Sequence, residues 1–196
     1  MITLPASPSP NGARPELVDF GTVLRPIAGG ELQRINRAGG RWKWDFSFPV
    51  MQPATLRTFT PLIAAAREQA LRLPVPLLGV SQGSPGTPVV DGAGQSGQTL
   101  VLRGVTAAWQ AKVGYWLHIA DENGRRYLHQ VTADATASGG GGLTLAIFPA
   151  LRWPFLDGAT VELASPTVEG LVTSDVSWGL DPRRLTALAF TLEEVA

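Results

Sequence analysis

Arg41–Phe48 reads RWKWDFSF, and its alternation decides the fold. Trp42, Trp44, Phe46 and Phe48 alternate with Arg41, Lys43, Asp45 and Ser47. Successive side chains of an extended strand point to opposite faces, so one face is aromatic and the other polar. Such a strand belongs in an antiparallel sheet covered on one side only. Its polar face meets water, a lumen or a neighbouring subunit.

Working outward, the residues after this strand predict a helix over about Pro53–Arg72. Proline suits the first helical position, where its missing N–H has no partner to lose. Leu56, Phe59, Ile63, Ala66 and Ala70 make one apolar stripe at three- and four-residue steps. Glu68 and Arg72 stand at i,i+4 and suit an ion pair. Pro74 and Pro76 end the helix. Ahead of the strand, 17–28 and 31–37 are strand candidates, and 1–16, rich in Pro, Ser and Asn, reads as an arm.

Residues 79–98 are rich in Gly, Pro and Ser and read as a crossing between domains. Short strands follow at Thr99–Val105, Gly114–Ala120, Arg126–Thr132, Leu143–Phe148 and Ala159–Leu163, which suggests a small barrel or sandwich. Beyond Val168 the alternation resumes: Val172, Ser174, Val176 and Trp178, then Leu188, Phe190 and Leu192. These strands complete the first sheet. The expected fold is mainly β: a β-sandwich domain with one α-helix, over 1–90 and 168–196, interrupted by a small β-barrel or sandwich at 91–167.

The composition supports a packed domain of 196 residues, with 44% hydrophobic and 16% charged residues and formal net charge +0. The charged share is below the roughly 25% of average soluble domains, as a large core or a partner-covered surface would give. No basic excess supports a long-range field for nucleic acid. Cysteine is absent, which excludes disulfides, thiolate metal sites and cysteine nucleophiles. MITLPASPSPNGARPE has neither the basic start nor the apolar stretch of a signal peptide, and no run of about 18 apolar residues predicts a membrane span.

Few constellations suggest chemistry. The two histidines, His118 and His129, flank the Asp121–Gly124 turn. A two-residue Asn123-Gly124 turn sets them opposite each other on one face, where they could share a metal. A four-residue loop sets His118 against Tyr127 and separates them. GAGQSG at 92–97 is neither a nucleophile elbow nor a phosphate loop. Glu193-Glu194 read as a solvated end, Asp121-Glu122 as part of a turn, and the remaining aspartates, Asp157 among them, as dispersed. Catalytic, cofactor-binding and metal-ligating residues are therefore expected to be none. Trp42, Trp44 and Trp178 read as core. Trp109, Trp116 and Trp153 lie in the inserted domain, where an exposed indole could stack on a sugar ring. Arg25, Arg34, Arg37, Arg41 and Lys43 cluster on a hairpin rim, as a solvated or interface face.

The order of RWKWDFSFP, the helix MQPATLRTFTPLIAAAREQALRLPVPL, the crossing GVSQGSPGTPVVDGAGQSGQTLVLRGV and the later GYWLHIADENGRRYLHQV and DGATVELASPTVEGLV resembles the distal tail proteins of long-tailed bacteriophages and gene transfer agents. The resemblance covers about residues 38–180. It implies a structural virion protein, not an enzyme: a homo-oligomeric, hexameric ring between tail tube and tail-tip hub, with a lumen that passes DNA without specific nucleic-acid recognition and holds the end of the tape-measure protein. It also implies assembly in the host bacterial cytoplasm and residence in the virion tail, without membrane insertion. The alternative expectation is a carbohydrate-binding β-module of a tail, using Trp109, Trp116 or Trp153.

Overall fold

A computed structural model describes residues 1–27, 29–37, 39–77, 79–178 and 186–195. Among the described residues strand accounts for 46% and helix for 7%, so the fold is mainly β. In chain order, β1 (Ile2–Thr3), β2 (Gly12–Val18), β3 (Thr22–Leu24), β4 (Gln33–Ile35) and β5 (Arg41–Met51) lead into α1 (Pro53–Ala65) and β6 (Leu71–Pro74). There follow β7 (Gly86–Val90), β8 (Gly97–Val105), β9 (Gln110–Ala111), β10 (Trp116–Ala120), β11 (Arg126–Val131), β12 (Ala135–Thr136), β13 (Leu143–Leu151) and β14 (Val161–Glu162). The chain closes with β15 (Thr167–Val172) and β16 (Thr186–Glu194).

The first unit is a six-stranded sheet in the order β1-β6-β15-β16-β5-β2. Its centre is the antiparallel β5–β16 pair, with Trp44 opposite Leu192, Phe46 opposite Phe190 and Phe48 opposite Leu188. All six are buried, and Phe190 lies 6.0 Å from Phe46 and 5.8 Å from Phe48, centroid to centroid. Cross-strand aromatic pairs of this kind set the register, since a one-residue slip turns every ring to the polar face. Helix α1 covers the Phe48 end of the stripe through Leu56, Phe59 and Ile63, with Phe59 5.7 Å from Phe48. The Trp42–Trp44 end is covered by the second unit. The layer facing the sheet is thus part helix and part barrel wall.

The helix is shorter than its apolar stripe suggests. It ends at Ala65, and Leu71 and Arg72, expected inside it, open β6. Leu71, Leu73 and Val75 are buried at every second position, a strand period, and Pro74 disfavours helix for the residue before it. Arg72 therefore pairs with Glu169 on β15 at 2.8 Å and not with Glu68.

The second unit is a six-stranded sheet in the order β14-β10-β11-β13-β8-β7. Its outer strands meet through a bridge between Val89 and Thr160, and the Val90 N–H donates to the Ala159 carbonyl at 2.9 Å. The sheet is thereby nearly closed into a barrel, filled by Leu100, Leu102, Leu117, Ile119, Leu145 and Ile147. β7 belongs to this barrel, so the expected division after residue 90 would cut it from its partner β8. The Gly- and Pro-rich composition of 79–98 hides the short apolar run Pro88–Val90. Gly104 (φ +78°) lets β7 cross β8 closely, since a Cβ there would stand 2.7 Å from the Thr87 carbonyl oxygen. The segment LVTSDVSWGL is β-strand only to Val172, and Trp178 packs partly buried on the first core; 179–185 lie outside the described residues.

Candidate assembly surface and interdomain seam

The β10–β11 hairpin carries two faces of different use. Its turn spans five residues, Asp121–Arg125, between Ala120 and Arg126, so His118 stands opposite Leu128 and His129 opposite Leu117. This odd count places the histidines on opposite faces, and neither expected register is found. Leu117, Ile119, Tyr127 and Val131 enter the barrel core, whereas Trp116 and Leu128 join the core of the first unit.

Trp116 lies 4.8 Å from Trp42, nearly edge-on at 72°, and 5.1 Å from Trp44. Beside this aromatic seam, Glu194 is fully buried. Its carboxylate accepts from the Trp42 N–H at 2.6 Å, the Leu128 N–H at 2.8 Å and both terminal nitrogens of Arg152 at 3.2 and 3.1 Å. The same guanidinium donates to the Gly40 carbonyl at 2.9 Å. Burial raises the Glu194 carboxyl above its ordinary range, against the pull of Arg152 and the two backbone donors. The expectation of a solvated acidic end fails for this residue. Leu188, Phe190, Leu192 and Glu194 share a face by period two, and that parity was the available signal.

Three further contacts fix the units together. The Gln82 side chain accepts from the Trp116 N–H at 2.8 Å and donates to the carbonyls of Trp116, at 2.7 Å, and Leu163. Its own carbonyl accepts from the Trp109 indole at 3.0 Å. Arg72 reaches the Gly124 carbonyl at 2.9 Å. His118 Nδ1 accepts from the Thr167 N–H at 3.0 Å, which requires a neutral ring. Burial, then the nearby Arg126 and Arg72 cations, lower its pKa to about 3. His129 is fully buried with Nδ1 2.8 Å from the Pro149 carbonyl, and burial lowers its pKa to about 3.

The polar face of β5 is charge-balanced. Arg41 pairs with Glu193 at 2.6 Å, Lys43 with Glu16 at 3.1 Å, and the Thr191 hydroxyl donates to Asp45 at 2.7 Å. Arg25, Arg34 and Arg37 lie elsewhere, on the arm formed by 19–37. There, among the described residues, β3 and β4 pair only with each other. The arm continues the β2–β5 hairpin, and its root is held by Arg34 on Asp19, by the Gly21 N–H on the same carboxylate at 2.8 Å and by Arg41 over the Phe20 ring at 5.1 Å. Phe20, Val23, Leu24, Ile27, Leu32 and Ile35 are all exposed, Leu32 at 66%. An isolated two-stranded hairpin is marginal in water, so an arm that exposes six large apolar side chains is a candidate interaction surface.

The three barrel tryptophans separate. Trp109 is half-buried and bonded to Gln82, and Trp116 is in the seam. Trp153 is 37% exposed and lines a cavity of about 250 Å³ with Asp121, Glu122, Leu156, Asp157 and Thr160. Spacing alone gave no sign that these carboxylates converge; barrel closure brings the β10–β11 turn beside the 153–160 loop. Gln95 of the GAGQSG segment ties its own loop, donating to the Asp91 carbonyl at 2.7 Å and accepting from the Val101 N–H at 2.7 Å.

Among known proteins, no family model matches the chain and no curated sequence resembles it significantly.

Proposed function

We propose that the chain is a structural protein of a bacteriophage tail, a distal tail protein whose copies join into a ring, with six as the ring order that the resemblance implies. The tail tube, the tail-tip hub and the end of the tape-measure protein are its proposed neighbours, and it carries no catalytic role. The observation that supports this most is the apolar arm at 19–37.

A second copy is its favoured occupant. The arm extends the hairpin at one edge of the six-stranded sheet, where Pro15 in the edge strand lacks an N–H and blunts strand addition. Contact at that edge then falls to side chains of the arm. A formal net charge of +0 sets no repulsion between copies. Burying the exposed parts of six such side chains contributes on the order of 5 kcal/mol, whereas association costs about 4–15 kcal/mol. One arm contact is therefore near break-even, while a closed ring, in which each copy gives one arm and receives one, gains from every joint.

The test is sedimentation velocity across rising concentration, for the parent chain and for Leu24→Ser/Ile27→Ser/Leu32→Ser. The parent should form a discrete oligomer at high concentration and the variant should stay monomeric with an unchanged far-UV spectrum. Equal behaviour of the two would remove the arm from assembly.

A further inference from the structure

We propose that the barrel carries a binding site for an uncharged or amino pyranoside at the Trp153 cavity. The inference does not depend on ring formation.

A sugar ring offers an apolar face of C–H groups and a rim of hydroxyls, so its site needs an accessible aromatic plane beside fixed polar groups. The cavity of about 250 Å³ supplies both. The Trp153 indole lies nearly parallel to Tyr127 (22°, centroids 6.3 Å apart), and Tyr127 is wedged edge-on against Phe155 at 5.3 Å. The platform is thus backed by the barrel core. Its indole N–H donates to no group among the described residues and remains for a ligand oxygen.

The polar wall is equally fixed. Asp121 is 9% exposed; its Oδ1 accepts the N–H groups of Asn123 and Arg125 at 2.9 and 2.8 Å, and its Oδ2 takes no hydrogen bond among the described residues. One oxygen holds the turn and the other is left to accept from a hydroxyl. Asp157, on the far side, accepts from the Gly92 N–H at 2.8 Å and pairs with Arg103, whose guanidinium holds its carboxyl down to about 2. Arg103 also pairs with Asp91 at 2.9 Å, so these three groups keep one net negative charge, and Asp121 and Glu122 add to it. They disfavour phosphate and acidic sugars and suit neutral or amino sugars. Walls held in place before binding reduce the ordering cost that limits small-ligand affinity.

The test is ligand-observed saturation-transfer NMR on the full chain with methyl glycosides of glucose, galactose, mannose, N-acetylglucosamine and glucosamine, and with glucuronate as the acidic member. At least one neutral or amino glycoside should give signal with a dissociation constant on the order of 1 mM, and glucuronate none. Trp153→Ala should weaken it at least tenfold, with Trp153→Phe retaining part. Amide shifts mapped on the parent chain keep the test independent of the variants' folding, and should concentrate at 120–122 and 153–160. Silence across the panel, binding that Trp153→Ala leaves unchanged, or shifts mapping elsewhere would each overturn the site.

Discussion

Removing the Glu194 carboxylate should cost the fold more than removing its partner Arg152, and the difference follows from what each leaves behind. Glu194→Ala strands a buried guanidinium that cannot shed its proton, and deprives the Trp42 and Leu128 N–H groups of their acceptor. An uncompensated buried charge costs about 3–5 kcal/mol, and orphaned backbone donors add to it, for a total of about 4–6 kcal/mol. Arg152→Met leaves a carboxyl that burial already pushes toward the protonated form, so proton uptake caps the loss at about 2–3 kcal/mol. The Arg152→Met loss should also shrink at pH 5, where protonation is easier. The double variant should cost less than the two losses added, by about 2 kcal/mol. Urea denaturation of the four chains at pH 7 and pH 5, read as midpoints with unchanged slope, measures all of this. A Glu194→Ala loss below about 1 kcal/mol, or additivity within about 0.5 kcal/mol, would refute the claim that the seam is held by this pair.

Two more perturbations probe the same frame. His118 and His129, both held near pKa 3 by burial, take protons in the unfolded chain below about 6.5 but not in the folded one. Stability is therefore present above pH 6.5 and lost as pH falls toward 3, at roughly 1.4 kcal/mol per pH unit for each ring; Glu194, with its raised carboxyl, works in the opposite direction. Thermal midpoints between pH 7 and pH 5 should fall steeply, and His118→Asn should flatten the slope by about half. Gly170 on β15 sits so close to the Glu193 carbonyl that a Cβ would collide with backbone; Gly170→Ala should cost about 2–4 kcal/mol by displacing β16, and an unchanged melting midpoint would contradict the register of that pair.

Much of the fold was legible because strand alternation is a local signal. RWKWDFSF announced both faces of β5, and Leu188, Phe190 and Leu192 announced its partner. The helix overran because Leu56, Phe59, Ile63, Ala66 and Ala70 fit a helical stripe while Leu71, Leu73 and Val75 fit a strand; the two periods overlap where the chain turns. The histidine registers missed because turn length, which sets face, depends on the Asp121 side chain accepting two backbone N–H groups. Gln82 and Arg152 were invisible, since their partners are distant in sequence: Gln82 meets the barrel at Trp116 and Leu163, and Arg152 meets the first sheet at Glu194 only where the two units pack together. The cavity at Trp153 needed the same closure. The arm was visible as a basic cluster, yet its apolar residues read as an ordinary strand, because only the fold shows β3 and β4 pairing, among the described residues, with each other alone.

The assembly proposal is tested most directly by electron cryo-microscopy of the purified chain at high concentration. A closed ring, with residues 19–37 of each copy seated on its neighbour and the Trp153 cavity facing outward or along the rim, is the expected reconstruction. Isolated single copies at every concentration, or a ring whose joints leave Leu24, Ile27 and Leu32 in solvent, would contradict it.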